Sequence, residues 1–174
     1  MPSDAGYTCG TCGQHHDGVP LSYRTQAPVY WSSELESDPD SGLDEELCVI
    51  QGEHFFVQGN LDIPIIGEDD AEEGGVFTWG VWVSLSQANF GRTVELWTTP
   101  GRESEPPYFG WLSTELPVYA PQSTINLKTQ VLTQPVGIRP QIHLEQTDHP
   151  LSIEQHTGIT RERIQEIAQK VLHG

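Results

Sequence analysis

Two thiols and two imidazoles fall within one short stretch near the N-terminus, Cys9-Gly-Thr-Cys12-Gly-Gln-His15-His16. A Cys-x-x-Cys pair on a tight turn lets two thiolates reach one ion, and tetrahedral zinc accepts cysteine and histidine together. Gly10 and Gly13 allow the backbone to turn with positive φ beside the cysteines. The pattern therefore predicts a zinc site formed by both cysteines and one of the histidines.

A redox function and uncommitted free thiols are the alternatives for this pair. A redox Cys-x-x-Cys has a strand before it and a helix after it, with the first thiolate at the helix N-terminus. No helical pattern begins after Cys12, where a glycine and two histidines follow. The spacing therefore favours zinc over redox chemistry.

A structural zinc site takes a fourth ligand from elsewhere in the chain. The chain has 3 cysteines, so Cys48 is the remaining thiol and our predicted fourth ligand. His149 and the second histidine of the 15–16 pair are the alternatives. If no protein group filled the position, water would, and the metal would then be available for catalysis.

The chain is strongly acidic, since 25 acidic and 8 basic side chains give a formal net charge of -17 over 174 residues. This balance argues against nucleic acid or an anionic membrane as the main ligand, and it suits a basic partner. We expect a cytoplasmic protein because the cysteine number is odd and the sequence shows neither a signal peptide nor an apolar run long enough to span a membrane.

Acidic residues cluster in two segments, 34–46 and 68–73. Their members are Glu34, Glu36, Asp38, Asp40, Asp44, Glu45, Glu46, Glu68, Asp69, Asp70, Glu72 and Glu73. Pro39 and Gly42 indicate a loop in the first segment, which lacks the glycine and terminal glutamate of a calcium-binding EF-hand loop. We therefore predict two solvated acidic loops.

Hydrophobic periodicity predicts a mixture of strands and helices. The predicted strands cover 47–50, 54–64 with a bulge at Gly59, 76–86, 125–133 and 137–145, and another begins at 106–112. The predicted helices cover 27–36, 87–97, 149–156 and 161–172. Ser86 is the predicted cap of the second helix, Thr147 or Asp148 that of the third, and Thr160 that of the fourth. We predict a single α+β domain over 1–174, an antiparallel sheet with helices packed on it. Residues 1–20 would form an N-terminal zinc knuckle segment and residues 21–174 the main body.

Several polar and aromatic residues beside apolar runs are further site candidates. His149 precedes Pro150 and is expected to cap a helix, although a metal ligand or a general base next to Asp148 is the functional alternative. The aromatic run from Tyr108 to Trp111 is expected to lie in the core, with a partner surface as the alternative. Arg92 and Arg139 are expected to pair with neighbouring acids.

The whole chain resembles an uncharacterised bacterial family, domain of unknown function 2199. The resemblance covers about residues 7–173 and is carried by the following strings: Cys9-Gly-Thr-Cys12-Gly13 with His16, Leu47-Cys-Val-Ile50, His54-Phe-Phe56, Trp79-Gly-Val-Trp-Val-Ser-Leu-Ser86, Pro107-Tyr-Phe-Gly-Trp-Leu112, Arg139-Pro140 and Thr147-Asp-His-Pro-Leu151. It implies one compact domain, and it favours His16 over His15 as the knuckle histidine. The predicted ligand set is then Cys9, Cys12, His16 and Cys48.

Three function classes follow from these features. The first is a zinc-stabilised interaction or adaptor module whose acidic loops meet a basic partner protein, such as an immunity-type inhibitor of a toxin. The second is a metal-dependent, hydrolase-like enzyme with an open zinc position. The third is a zinc-stabilised domain that binds a small molecule between the sheet and a helix. Ligand number at the metal separates the first two, and a deep concave pocket favours the third.

Overall fold

The computed structural model describes residues 18–67 and 75–173, together with the backbone pairing of two short strands nearer the N-terminus. Strand β1 (Tyr7–Thr8) pairs antiparallel with β2 (His15–His16). Cys9, Cys12, the side chain of His16 and the acidic segment 68–73 lie outside the described residues. The zinc knuckle therefore stays a prediction.

The rest of the described chain forms one eight-stranded sheet and three helices, which confirms the α+β class. The strands are β3 (Ser22–Arg24), β4 (Gly42–Leu43), β5 (Leu47–Ile50), β6 (His54–Pro64), β7 (Val76–Leu85), β8 (Tyr108–Leu112), β9 (Lys128–Leu132) and β10 (Gln141–Leu144). The helices are α1 (Gln87–Glu95), α2 (Pro150–Thr157) and α3 (Arg161–His173).

Five of these strands close into a barrel, so the prediction of a simple antiparallel sheet is wrong. Strands β7, β8, β9 and β10 follow one another in the sheet, β10 pairs with β6, and β6 pairs with β7 to complete the ring. Two pairings are parallel, β10 with β6 and β3 with β7. Hairpin spacing in the sequence could not indicate them, because the paired segments lie far apart along the chain.

The two halves of one edge of β6 pair with different strands. The Gln58 amide donates to the Glu46 carbonyl beside β5, and the Asn60 amide donates to the Pro140 carbonyl before β10, both at 2.9 Å. Along the other edge, β6 pairs with β7 without a break from Phe55 to Pro64. The predicted bulge at Gly59 is therefore wrong. Gly59 instead permits close packing, since a Cβ there would lie 2.6 Å from Ile142 Cδ1.

Alternating side chains of the barrel strands fill its interior and form the main core. The largest fully buried ones include Leu61, Ile63, Phe77, Val81, Val83, Leu112 and Ile142. Helices α2 and α3 cover one end with Leu151, Ile164 and Ile167. Helix α1 follows β7 at the other end and packs Phe90 on Phe55, with ring centroids 5.1 Å apart.

Residues 30–43 form an outer layer on the outside of the barrel. Trp31, Leu35 and Leu43 cover a second apolar cluster made of Cys48, Ile50, Phe56 and Trp82. The predicted helix over 27–36 is only a 3-10 turn at Ser33–Ser37. Its C-terminal residue is followed by Asp38 in an extended conformation, which the next residue, Pro39, favours.

We expect Gly59→Ala to lower the free energy of unfolding by about 2–3 kcal/mol, because the added methyl group overpacks the contact between β6 and β10. Gly91→Ala in exposed α1 is the control, since a Cβ there meets nothing within 4 Å. It should raise stability by about 0.5–1 kcal/mol. Urea unfolding followed by tryptophan fluorescence measures both, and equal stability of the two variants would contradict this account of closure.

Candidate functional site

Cys48, the predicted fourth zinc ligand, lies on the outer face of β5 among apolar side chains. It is 1% exposed and packs with Ile50, Phe56 and Trp82. Burial, and after it the negative charge of Asp44, raises the pKa of the thiol to about 12. The described residues contain no group of three histidine, cysteine, aspartate or glutamate side chains able to hold an ion. A metal at Cys48 would therefore need ligands from outside the described residues, where the predicted ligands Cys9 and Cys12 lie.

His149 caps helix α2, which confirms the expectation that this histidine is a helix cap. The prediction that Thr147 or Asp148 is the cap is wrong. Its Nδ1 accepts a hydrogen bond from the Leu151 amide at 3.0 Å. Its Nε2 lies 3.0 Å from the Ser123 carbonyl, and it must donate because Nδ1 accepts. Neither nitrogen then offers a lone pair to a metal or to a substrate proton, so His149 is poorly suited as a zinc ligand or general base.

The two arginines singled out in the sequence pair with acids, as expected. Arg139 donates through Nε and Nη2 to the carboxylate of Glu46, with the shortest distance 2.6 Å. Arg92 donates to Glu105, which also accepts from the Tyr108 hydroxyl. Burial and the hydrogen bond to Glu105 raise the pKa of Tyr108 to about 12. These contacts connect separate segments and leave little capacity for a ligand at Arg92.

The acidic segment 34–46 contains structural and free carboxylates. Asp38 accepts from the Ser41 hydroxyl and the Asp40 amide, and these bonds lower the pKa of its carboxyl. Asp44 accepts from the Glu46 and Leu47 amides. The side chains of Glu34, Glu36 and Asp40 are exposed, and no side chain in the described ranges pairs with them.

A groove of about 890 Å³ opens beside the outer layer, and we call it the acidic groove. The outer layer forms one wall, the turn between β5 and β6 forms the second, and the ends of β7 and β8 form the third. Its residues are Tyr30, Ser32, Glu34, Leu35, Ile50, Gln51, Glu53, His54, Phe55, Phe56, Ser84, Leu85, Trp111, Ser113 and Asn126. Glu34 and Glu53 supply negative charge, and no lysine or arginine of the described chain is among its lining residues.

Exposed aromatic rings lie in and next to this groove. Trp111 is 41% exposed, and its ring meets that of Phe109, which is 42% exposed, edge to face at 5.0 Å. Tyr30 is 51% exposed and packs on Phe56 at 5.9 Å. The prediction that the 108–111 run belongs to the core holds for Tyr108 and is wrong for Phe109 and Trp111. Strand alternation, applied to this run, would have separated the two faces.

The arrangement is suited to binding a cation that is attached to an apolar surface. Carboxylates at Glu34 and Glu53 attract positive charge, and the faces of Tyr30 and Trp111 can take cation–π contacts. The sequence did not indicate Tyr30 or Glu53 as site residues. Tyr30 was expected in the helix over 27–36, and Glu53 lies between the predicted strands 47–50 and 54–64. Only the fold brings them to one groove with Trp111.

Within residues 18–67 and 75–173, no helix has both the length and the apolar character needed to cross a bilayer. Comparison with curated proteins and with solved structures finds no match. A family described as uncharacterized proteins conserved in bacteria (DUF2199) matches residues 8–159. This match covers most of the chain, including strands β2 to β10 and helices α1 and α2, and the chain therefore belongs to the DUF2199 family.

Proposed function

We propose that this protein is an interaction module that binds a basic segment of a partner protein in the acidic groove. The observation that carries the proposal is the composition of the groove, in which acids and exposed aromatic rings occur without a lysine or arginine of the described chain. An adaptor, or an immunity-type inhibitor of a basic toxin, is the kind of role that such a surface serves. A cytoplasmic location belongs to the proposal.

Charge and apolar area make different contributions to this binding. The net charge of -17 attracts a basic partner over a distance and raises its association rate. Aromatic residues at the centre of an interface supply most of the binding energy once water is excluded. Trp111 and Tyr30 are placed to do so because each ring packs on another aromatic ring, Trp111 on the neighbouring Phe109 and Tyr30 on the buried Phe56.

The partner prediction is tested by removing negative charge from the groove with substitutions that keep the size of each side chain. Glu34→Gln, Glu36→Gln, Asp40→Asn and Glu53→Gln remove four exposed acids in or near the groove. We expect the association rate with the purified partner to fall about tenfold at low salt and the difference to shrink at high salt. The partner is obtained by affinity capture and then produced separately, so that stopped-flow kinetics are measured on two defined proteins.

The matched control removes four exposed acids elsewhere, through Glu103→Gln, Glu145→Gln, Asp148→Asn and Glu162→Gln. Both variants carry the same net charge, so a local effect of charge on the association rate is separated from a general one.

Trp111→Ala should mainly raise the rate at which the partner dissociates. A captured partner that is itself acidic, or equal association rates for the two charge variants, would overturn the proposal.

A zinc ion held by Cys9, Cys12, His16 and Cys48 is the second part of the proposal, with a stabilising function. Purified protein should contain about one zinc per chain, and Cys12→Ser should lose it. If Cys48 is the fourth ligand, Cys48→Ala also loses the zinc. If Cys48 only packs in the outer cluster, the zinc remains and unfolding becomes easier by about 1 kcal/mol. Elemental analysis and thermal unfolding of each variant decide between these outcomes, and zinc-free wild-type protein contradicts the metal site.

A further inference from the structure

A second cavity, of about 540 Å³, lies where strands β6 and β10 diverge, and we call it the seam cavity. The two strands share a single register pair, Gln141 with Asn60. Before that pair β6 continues beside β5, whereas the chain leading into β10 forms the loop from Thr133 to Pro140. One register pair therefore closes the barrel at this seam, and the end of α1 lies over the gap beside that pair.

The body of the seam cavity is apolar. Val57 and Val131 form its buried floor, and Leu47, Trp97, Val136 and Ile138 form its walls and rim. The last three are 39%, 43% and 52% exposed, which leaves a concentrated apolar surface around the opening. The volume falls within the range of small-molecule sites, which occur preferentially in clefts such as the mouths of barrels.

The polar lining gives this cavity a charge opposite to that of the protein as a whole. Arg102, Arg139 and Glu46 line it, so basic side chains outnumber acidic ones. In three other concavities of the described chain, including the acidic groove, acids outnumber basic side chains. Two of the 8 basic residues of the chain thus meet at one apolar cavity.

Arg102 is a fixed positive charge that pairs with no carboxylate of the described residues. It is 9% exposed and donates to the carbonyls of Trp97, Gln134, Pro135 and Ile138 at 2.8–3.1 Å. These bonds hold the rim loop against the end of α1, and the guanidinium lies 5.7 Å from the centre of the Trp97 ring. Because its partners are neutral, its charge contributes to the potential inside the cavity.

Hydrogen-bond donors remain available in the lining, among them one on Arg139 and one on Asn60. Glu46 binds Nε and Nη2 of Arg139, and Nη1 of this arginine bonds to no described residue. The half-buried Asn60 side chain likewise has no partner in the described chain, although its backbone amide is bonded to Pro140. A ligand with an anionic group could accept from both side chains.

We propose that the seam cavity binds a small apolar molecule carrying one carboxylate. Its apolar body contacts Val57, Val131 and Trp97, and its carboxylate accepts from Arg139 Nη1 and Asn60 Nδ2 near the charge of Arg102. This site is separate from the acidic groove and does not depend on the proposed protein partner.

The test compares two probes of nearly equal shape, the anionic 1-naphthylacetate and the neutral 1-naphthylacetamide, by isothermal titration calorimetry on the full-length protein. We expect the carboxylate to bind at least about fivefold more tightly than the amide, as one charge-assisted hydrogen bond would give. Asn60→Asp, a change of nearly equal size, should remove this preference while amide binding remains. Ile138→Trp at the exposed rim should weaken both probes by obstructing the opening.

Arg92→Gln is the control, because it removes a positive charge that does not line the cavity. It should leave both affinities unchanged. Equal affinity for the two probes, or binding that survives Asn60→Asp with its charge preference intact, would overturn the proposal. Absence of carboxylate binding at concentrations up to about 5 mM would do the same.

Discussion

The shared edge of β6 is the constraint on which the rest of the structure depends. Within three residues this edge changes partner, from Glu46 beside β5 at Gln58 to Pro140 before β10 at Asn60. Pairing with β10 closes the barrel, and pairing with β5 extends the sheet beyond it to β4. Gly59 makes the change possible, because only a residue without a side chain leaves room for Ile142. The main core and the outer cluster therefore meet at residues 58–60 of β6.

Both candidate binding sites follow from this change of partner. Where β5 extends the sheet, the acidic outer layer packs on Cys48, Phe56 and Trp82, and its edge becomes a wall of the acidic groove. Where β10 leaves β6, the seam opens into the cavity that contains Arg102 and Arg139. The two sites have opposite charge character. The two proposals therefore place a basic macromolecular segment and a small anion on separate surfaces.

Local sequence patterns predicted the elements well and their assembly poorly. The alternation in β7 and the caps at Ser86 and Thr160 depend on neighbouring residues, and the structure confirms them. Barrel closure depends on residues 60 and 141, which no hairpin connects, so an open antiparallel sheet was the wrong expectation. The acidic segment 34–46 was recognisable from composition, although it contains a 3-10 turn and strand β4 rather than a loop throughout. The sequence did not show that this segment lines one groove with Trp111 and Glu53, because these residues come together only when the outer layer is folded.

The central claim, that the acidic groove is the principal binding surface, is tested most directly by hydrogen exchange of the protein with and without its purified partner. The account predicts slower exchange of amides in segments 30–35, 50–56 and 109–113, which line or support the groove. Slower exchange restricted to segments 93–102 and 131–140 around the seam cavity, with no change in the first three segments, would contradict it.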